Sequence, residues 1–312
     1  MKKEEARIIF MGTPDISSRV LESLILHGYN IIASISQEDK PVGRKAILEA
    51  TPVKLISQKY NIPCYQPHKI RLDYDFILDL KPDLIITFAY GQIVPEAVLN
   101  APKLGCINLH GSLLPKYRGA APIQYSLINL DKITGVTLMK MIKEMDAGEM
   151  YAKKEVEISI DDNSTSLFKK ISLAAEELIL EILPEFLKGN YKGEMQDENL
   201  VSYAPMIKAE QERLSLDMDI DHILGWIKGL SDEPGGYLYL EDKKLKIFKA
   251  SILNHENNHQ IGEIIEASKK GLSVQLKGGV LNILELQMEG KKRMDYKSFL
   301  NGNPNLLGKF LK

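Results

Sequence analysis

The segment Arg7-Ile-Ile-Phe-Met-Gly-Thr-Pro-Asp15 decides the fold class. Arg7 to Met11 reads as a short apolar strand of the kind buried on both faces of a parallel sheet. Gly12-Thr-Pro-Asp15 breaks it, and helical spacing follows in Val20, Leu21, Leu24 and Ile25. Strand, turn and helix in this order open a doubly wound α/β fold. The turn is not a dinucleotide fingerprint: GxGxxG is absent, and Pro14 sits where a second glycine is required. No GxxxxGK[ST] phosphate loop is present either. Gly12-Thr-Pro reads more simply as a helix start with proline in the first turn.

Working outward, strands are expected at Ile31–Ile35, Ile62–Tyr65, Asp83–Phe88 and Gly105–His110, with short helices near Asp73–Leu80 and 94–100. Such alternation predicts a parallel sheet covered on both faces. A helix follows Gly119, with Pro122 in its first turn. Ile133–Met141 and the stretch from Tyr151 to Ile160 alternate like half-buried strands. Ser164 is expected to cap a long amphipathic helix that ends near Leu187. The pattern changes after Gly189. Residues 190–208 are polar and mixed and read as a linker. A helix bearing Ile220, Ile223, Leu224, Trp226 and Ile227 follows, then Pro234-Gly-Gly and short strands near 237–241, 245–252, 261–267, 272–276 and 280–287. Such a series predicts a small β barrel or sandwich. The expected division is 1–189, a linker 190–208, and 209–312.

The chain has 312 residues, long for one core and suited to two. Cys64 and Cys106 are its only cysteines and neither has metal-ligand spacing, which suits a reducing compartment. Its start lacks a signal-peptide apolar core, and no apolar run approaches the ~20 residues of a membrane span; a cytoplasmic location is expected. The formal net charge of -2 argues against general affinity for nucleic acid, though not against a local basic patch. Such patches are Arg44-Lys45 in the long loop Ser36–Pro52, Lys243-Lys244-Leu-Lys246 and Lys291-Lys292-Arg293. A long loop after a strand of a parallel sheet is where ligands bind. A solvated charge run is an equal reading of Arg44-Lys45.

Chemistry points to Gly105-Cys-Ile-Asn-Leu-His-Gly-Ser-Leu-Leu-Pro115. Alternation on a strand puts Asn108 and His110 on one face, next to each other, at the strand end. A hydrogen-bond donor beside a titratable imidazole suits a reacting centre; an edge strand with two solvated polar residues is the alternative. Asp146, in the turn Lys143–Gly148, can approach His110 if strand 133–141 lies beside strand 105–110. The other five histidines sit in helix-end, loop or polar contexts and read as structural or solvated.

With Asn108, His110, Ser112-Leu-Leu-Pro-Lys-Tyr-Arg-Gly119 and Asp146 together, the chain resembles the methionyl-tRNA formyltransferases. Asn-x-His-(Gly/Pro)-Ser-Leu-Leu-Pro followed by Asp-x-Gly is a signature of folate-dependent formyltransferases. The likeness includes Phe10–Asp15, Lys40–Arg44, Thr51–Lys54, Ala89-Tyr-Gly91, Gln196-Asp-Glu198, Tyr203-Ala204 and Lys249-Ala250. It implies a Rossmann-like domain joined to a small barrel resembling an OB fold. It implies 10-formyltetrahydrofolate as co-substrate, with no metal, and initiator Met-tRNA as acceptor, handled by a monomer. Catalysis would fall to Asn108, His110 and Asp146. The folate would lie against Ala89, Tyr90, Gly91, Gln92, Ile93, Ser112, Leu113, Leu114 and Pro115, and around Lys143–Asp146. Arg44 and Lys45 would contact the tRNA acceptor end. Two departures stand out: Ala46-Ile-Leu-Glu-Ala50 replaces a lysine-rich loop, and Leu216 occupies a position that is usually tryptophan. Formyltransferases acting on small amines usually carry histidine where this chain has Met139.

These residue types suit acyl transfer between nitrogens. The carbonyl oxygen becomes an oxyanion and needs a fixed donor, for which the Asn108 amide serves. The amine loses a proton and the departing nitrogen gains one, for which an imidazole serves. Asp146 would orient that imidazole or a bridging water.

Overall fold

The computed structural model describes residues 1–42 and 47–312. They form two compact units. The first comprises Met1–Pro122, Ile133–Glu157 and Phe168–Pro205; the second comprises Ile123–Lys132, Ile158–Leu167 and Met206–Lys312.

In chain order, β1 (Ile8–Gly12), α1 (Asp15–Leu26), β2 (Ile31–Ile35), the hairpin strands β3 (Lys40–Val42) and β4 (Ile47–Glu49), α2 (Pro52–Lys59) and β5 (Cys64–Tyr65) begin the first unit. Then come α3 (Asp75–Asp79), β6 (Leu84–Phe88), α4 (Glu96–Leu99), β7 (Cys106–His110), α5 (Pro122–Ile128), which from Ile123 on belongs to the second unit, β8 (Ile133–Lys140), β9 (Met150–Glu157) and α6 (Ser164–Phe186), whose residues as far as Leu167 also belong to the second unit. Every residue of β1 and of β6 is buried, which is why their sequences are apolar but for Thr87. Ile9, Met11, Ala33, Ile35, Ile85 and Cys106 share one core with side chains from the crossovers, among them Ile70, Ile77 and Val98.

The sheet order is β5-β2-β1-β6-β7-β8-β9. The first five strands are parallel, as the α/β alternation predicts, but β8 pairs antiparallel with β7, and β9 antiparallel with β8. The reason lies in residues 111–132, which return the chain to the end of β7 where it left, so that His110 pairs with Thr137 and Ile107 with Lys140. β9 is an edge strand, and Lys153, Lys154, Glu155 and Glu157 give it the charge that discourages further pairing. Strand order reverses between β1 and β6, and ligands of open α/β sheets bind at the carboxyl ends of strands flanking such a reversal.

Two details differ from expectation. Pro14 is the N-cap of α1 rather than part of its first turn. Asn163, not Ser164, caps α6: its Oδ1 accepts from Ser166 N (3.0 Å), while its own N–H reaches Ser166 Oγ (3.1 Å). The Ser164 hydroxyl instead donates to the Ser231 carbonyl.

The second unit contains α7 (Ile220–Leu230), β10 (Gly236–Leu240), β11 (Lys243–Asn254), β12 (Ile264–Ser268), β13 (Gly271–Leu276), β14 (Gly279–Met288), β15 (Met294–Asp295) and α8 (Tyr296–Asn301). Its strands pair antiparallel in the order β10-β11-β14-β13-β12, with β15 on β14. Residues 309–312 reach both ends of this series. Leu311 bridges Leu240 of β10, and Phe310 bridges Glu263 beside β12. Ile220, Ile223, Ile247, Leu276, Ile283 and Leu311 lie in its core, with Leu216 packed against it. α7 approaches the 123–132 segment through glycines: a Cβ on Gly225 would sit 2.2 Å from Ile128 O, and one on Gly229 2.8 Å from Ile128 Cγ1. Among the described residues no helix is long and apolar enough to cross a membrane.

The segment after β2 is fastened by a carboxylate. Asp39 accepts from Gln66 Nε2 (2.6 Å) and Lys54 Nζ (2.5 Å). These bonds, that of Gln66 foremost, hold its carboxyl below the ordinary aspartate range. A depressed folded-state value stabilises the native state above the unfolded pKa, and that contribution is lost as pH falls through the folded value. Asp39→Asn should therefore flatten the acid limb of stability. Urea midpoints taken between about pH 5 and pH 2 should fall more steeply for wild type than for the variant.

Candidate active site

At the sheet reversal, the end of β6 runs into a tight turn. Ala89 (φ 47°) and Gly91 (φ 87°) are left-handed and exposed, while Tyr90 between them is buried. The Tyr90 carbonyl accepts from Thr13 Oγ1 (2.9 Å), in the turn after β1, and from Gln37 Nε2 (3.1 Å), after β2. Three strand ends are thereby tied to one carbonyl. The Tyr90 hydroxyl has no partner among the described residues, and burial raises its pKa.

β7 lies beside β6 with Asn108 opposite Thr87. The Thr87 hydroxyl donates to Asn108 Oδ1 at 2.7 Å, closer than its other neighbours, Met141 Sδ (3.1 Å) and Ile107 O (3.3 Å). This bond fixes which way the amide faces: the oxygen turns to the sheet and the Nδ2 donor turns away from it. Nδ2 has no acceptor among the described residues. Cys106, on the same strand, is buried with its Sγ bonded to the Val98 carbonyl, and burial pushes its thiol up to about 12, the setting of a structural cysteine.

His110 is 5% exposed. Its Nε2 lies 2.8 Å from the Tyr117 carbonyl, which can only accept, so Nε2 carries a proton. Nδ1 is then the atom left to exchange one, and it lies 3.6 Å from Asp146 Oδ2. The pairing of β8 with β7, the condition set for the approach of Asp146 to His110, brings the Lys143–Gly148 turn here. Asp146 Oδ2 also accepts from Gly119 N (2.9 Å), in the loop after β7.

Residues 190–208 do not form a free linker. As far as Pro205 they belong to the first unit, and they strap the 115–121 loop in place. Ser202 Oγ accepts from Tyr117 N (3.0 Å), Ser202 O from Arg118 N (2.8 Å) and Ala204 O from Ala121 N (3.0 Å). Gly119 (φ 124°) is needed here, because a Cβ would sit 2.7 Å from Ala204 O. Arg118 is buried and forms two bonds with Glu198 (2.8 and 3.2 Å), so its charge is internal to the strap. That pairing holds the Glu198 carboxyl below the usual glutamate range.

The structure brings His110 and Asp146 together, with Asn108 two residues before His110 on β7. Of the residues expected to touch folate, Ala89, Gly91 and Ile93 are exposed around the Tyr90 turn, and Gln92 is half-buried, bonded to Ile70 N and Pro67 O. Leu113 and Pro115 are half-buried. Ser112 and Leu114 are fully buried. The Ser112 hydroxyl donates to Lys116 O (2.6 Å), and Thr137 Oγ1 engages Ser112 O and Leu114 N, so in this stretch Leu113 and Pro115 are the residues with surface to offer a ligand. Arg44 and Lys45 lie outside the described residues. All five other histidines are exposed. Among the described residues no group of three or more His, Cys, Asp or Glu could hold a metal.

The sequence model of the formyl transferase family matches residues 6–183, and that of the formyl transferase C-terminal domain matches residues 206–304. Methionyl-tRNA formyltransferase of Lactobacillus acidophilus is 43% identical over 298 residues, 95% of each chain. Its counterpart in Bacillus velezensis is 43% identical over 299 residues, 95% of this chain and 94% of that one. This chain belongs to the methionyl-tRNA formyltransferase family. Two solved structures more distant than these family members share the fold. One is the N-formyltransferase from Helicobacter canadensis in complex with folinic acid and dTDP-3-aminofucose (TM-score 0.69, 16% identity, 90% of this chain and 100% of that one). The other is HypX from Aquifex aeolicus in complex with tetrahydrofolic acid (TM-score 0.65, 18% identity, 97% of this chain). The chain spans about half the length of HypX, 48%.

Thr87 is a site residue that the sequence did not single out. If the free Asn108 donor binds an oxyanion, a role whose removal costs ~10²–10³ in rate, Asn108→Ala should lower single-turnover formyl transfer by that factor. Thr87→Val keeps the volume and loses the hydroxyl. It should cost less, about tenfold, through a misdirected amide. Thr87→Ser should recover the rate.

Proposed function

We propose that this chain transfers the formyl group of 10-formyltetrahydrofolate to the α-amino group of methionine on initiator Met-tRNA, in support of translation initiation. The observation that carries the reading is the Asn108 amide, turned by Thr87 so that its donor faces away from the sheet, beside the His110–Asp146 pair. Membership of the family supports the acceptor.

The reaction forms an N–C bond between the amine and the formyl carbon and breaks the bond from that carbon to N10. The carbonyl oxygen gains charge on addition and loses it on collapse. Asn108 Nδ2 donates to that oxygen, where the charge develops. The amine gives up a proton and N10 takes one up. With Nε2–H bound to the Tyr117 carbonyl, His110 Nδ1 relays the proton, worth ~10²–10⁴ in rate. Asp146 stabilises the imidazolium that forms in passing, and its bond from Gly119 N keeps it facing Nδ1.

The exposed, left-handed backbone at Ala89 and Gly91 allows close approach of a flat ring, which supports the 89–93 turn, with 112–115, as the folate surface. Arg44 and Lys45 are assigned to the acceptor end of the tRNA on family resemblance. The working division is a formyltransferase domain that takes in the strap as far as Pro205 and a C-terminal domain from Met206 that takes in 123–132 and 158–167. The pairing of residues 309–312 with both β10 and the edge beside β12 supports an OB-like barrel for the latter. A monomer located in the cytoplasm is assigned on family resemblance.

Purified protein given 10-formyltetrahydrofolate should formylate Met-tRNA and leave glycinamide ribonucleotide and an amino sugar nucleotide untouched. Transfer to either small amine in preference would reassign the acceptor. Asp146→Asn should reduce kcat by about 10²–10⁴ without loss of folding, read by single-turnover kinetics. Arg44→Ala should raise KM for the charged tRNA and leave KM for the folate unchanged.

A further inference from the structure

The 190–205 strap contributes one buried side chain to the neighbourhood of the reacting groups. Gln196 is 6% exposed and uses all of its donor capacity. Its Nε2 donates to Asp146 O (2.7 Å) and to Gly148 O (2.9 Å). Its Oε1 accepts from Arg118 Nε (3.0 Å). A primary amide has two N–H donors, and both are spent on the turn that carries Asp146.

The topology gives this side chain a particular role. Asp146 Oδ2 accepts from Gly119 N, and Gly119 follows Arg118. Gln196 therefore closes a ring: from its own amide to the backbone of Asp146, across the carboxylate to Gly119, back along one residue to Arg118, and home to Oε1. The two segments that the ring joins come from different places, the loop after β7 and the turn after β8. Asp146 is also left-handed (φ 52°), a conformation that L-residues with a Cβ rarely adopt and that persists where surrounding contacts fix it. The bond from Gln196 to its carbonyl supplies that restraint. Glu198 grips the other face of the Arg118 guanidinium from the exposed rim.

We propose that Gln196 is a positioning residue for formyl transfer: it sets the Asp146 carboxylate opposite His110 Nδ1 by holding the Asp146 and Gly148 carbonyls on one side and the side chain of Arg118, the neighbour of Gly119, on the other. The proposal rests on the reaction assigned above. Gln196 touches neither reacting nitrogen, and its effect passes wholly through Asp146.

Two variants test it. Gln196→Met keeps the volume and removes all three bonds. Gln196→Glu keeps an acceptor for Arg118 and turns oxygen toward two carbonyl oxygens. Each should lower kcat by about 10–10²-fold, the scale of a misplaced catalytic group, while KM for 10-formyltetrahydrofolate stays within about threefold. In an Asp146→Asn background the same replacements should cost less than about threefold, because a residue acting through Asp146 has nothing left to position. Equal losses in both backgrounds, or a kcat within twofold of wild type for Gln196→Met, would overturn the proposal. Amide hydrogen exchange on the unliganded protein separates this from the assigned reaction. In Gln196→Met, Gly119 N–H should lose protection while Ala121 N–H, bonded to Ala204 O, keeps it. Unchanged protection at Gly119 would refute the ring whatever the activity. An inactive wild type with the expected exchange pattern would count against the reaction and leave the ring standing.

Discussion

A carboxylate between a backbone N–H and an imidazole is the constraint on which this molecule is built. Asp146 Oδ2 accepts from Gly119 N at 2.9 Å and lies 3.6 Å from His110 Nδ1. Neither neighbour is close in sequence, so both the loop after β7 and the turn after β8 must be held in register before the contact can exist. Thr137 contributes from β8: its hydroxyl donates to Ser112 O (2.7 Å) and accepts from Leu114 N (3.0 Å). The strap contributes from the other side through Ser202, Ala204 and Gln196. Buried polar groups of this kind stabilise little on net unless all are satisfied, and here the partners form a connected set.

The same logic separates the two halves of the site. Around Tyr90, a parallel sheet presents backbone at its carboxyl edge, and side chains from the turns after β1 and β2 hold that backbone still. Around His110, the end of β7 and the turn after the antiparallel β8 set an imidazole against a carboxylate. The first half suits recognition of a flat ring and the second suits chemistry. They meet at β6 and β7, where Thr87 bonds Asn108 across the strand pair.

Much of this is written locally. The apolar runs of β1 and β6 announce buried strands, and the alternation at Ile107, Asn108, Leu109 and His110 sorts the polar pair to one face. What is not local is not legible. Thr87 looks like an ordinary strand threonine until strand pairing sets it opposite Asn108. Gln196 and Arg118 are 78 positions apart, and polar residues whose partners lie that far upstream read as a solvated linker. The antiparallel course of β8 depends on where residues 111–132 return the chain, which periodicity does not encode. Asn163 and Ser164 are both good caps, and composition alone does not choose between them.

The second unit's dependence on residues 123–132 has a consequence for how the chain can be divided. Gly225 and Gly229 of α7 are shaped to receive Ile128, a residue that arrives from nearly a hundred positions upstream. A fragment beginning at Met206 would keep every strand of the antiparallel sheet yet present a vacant notch on its first helix. The two globules are thus interleaved along the polypeptide rather than strung end to end, and a single cut near Pro205 would not release the later one whole.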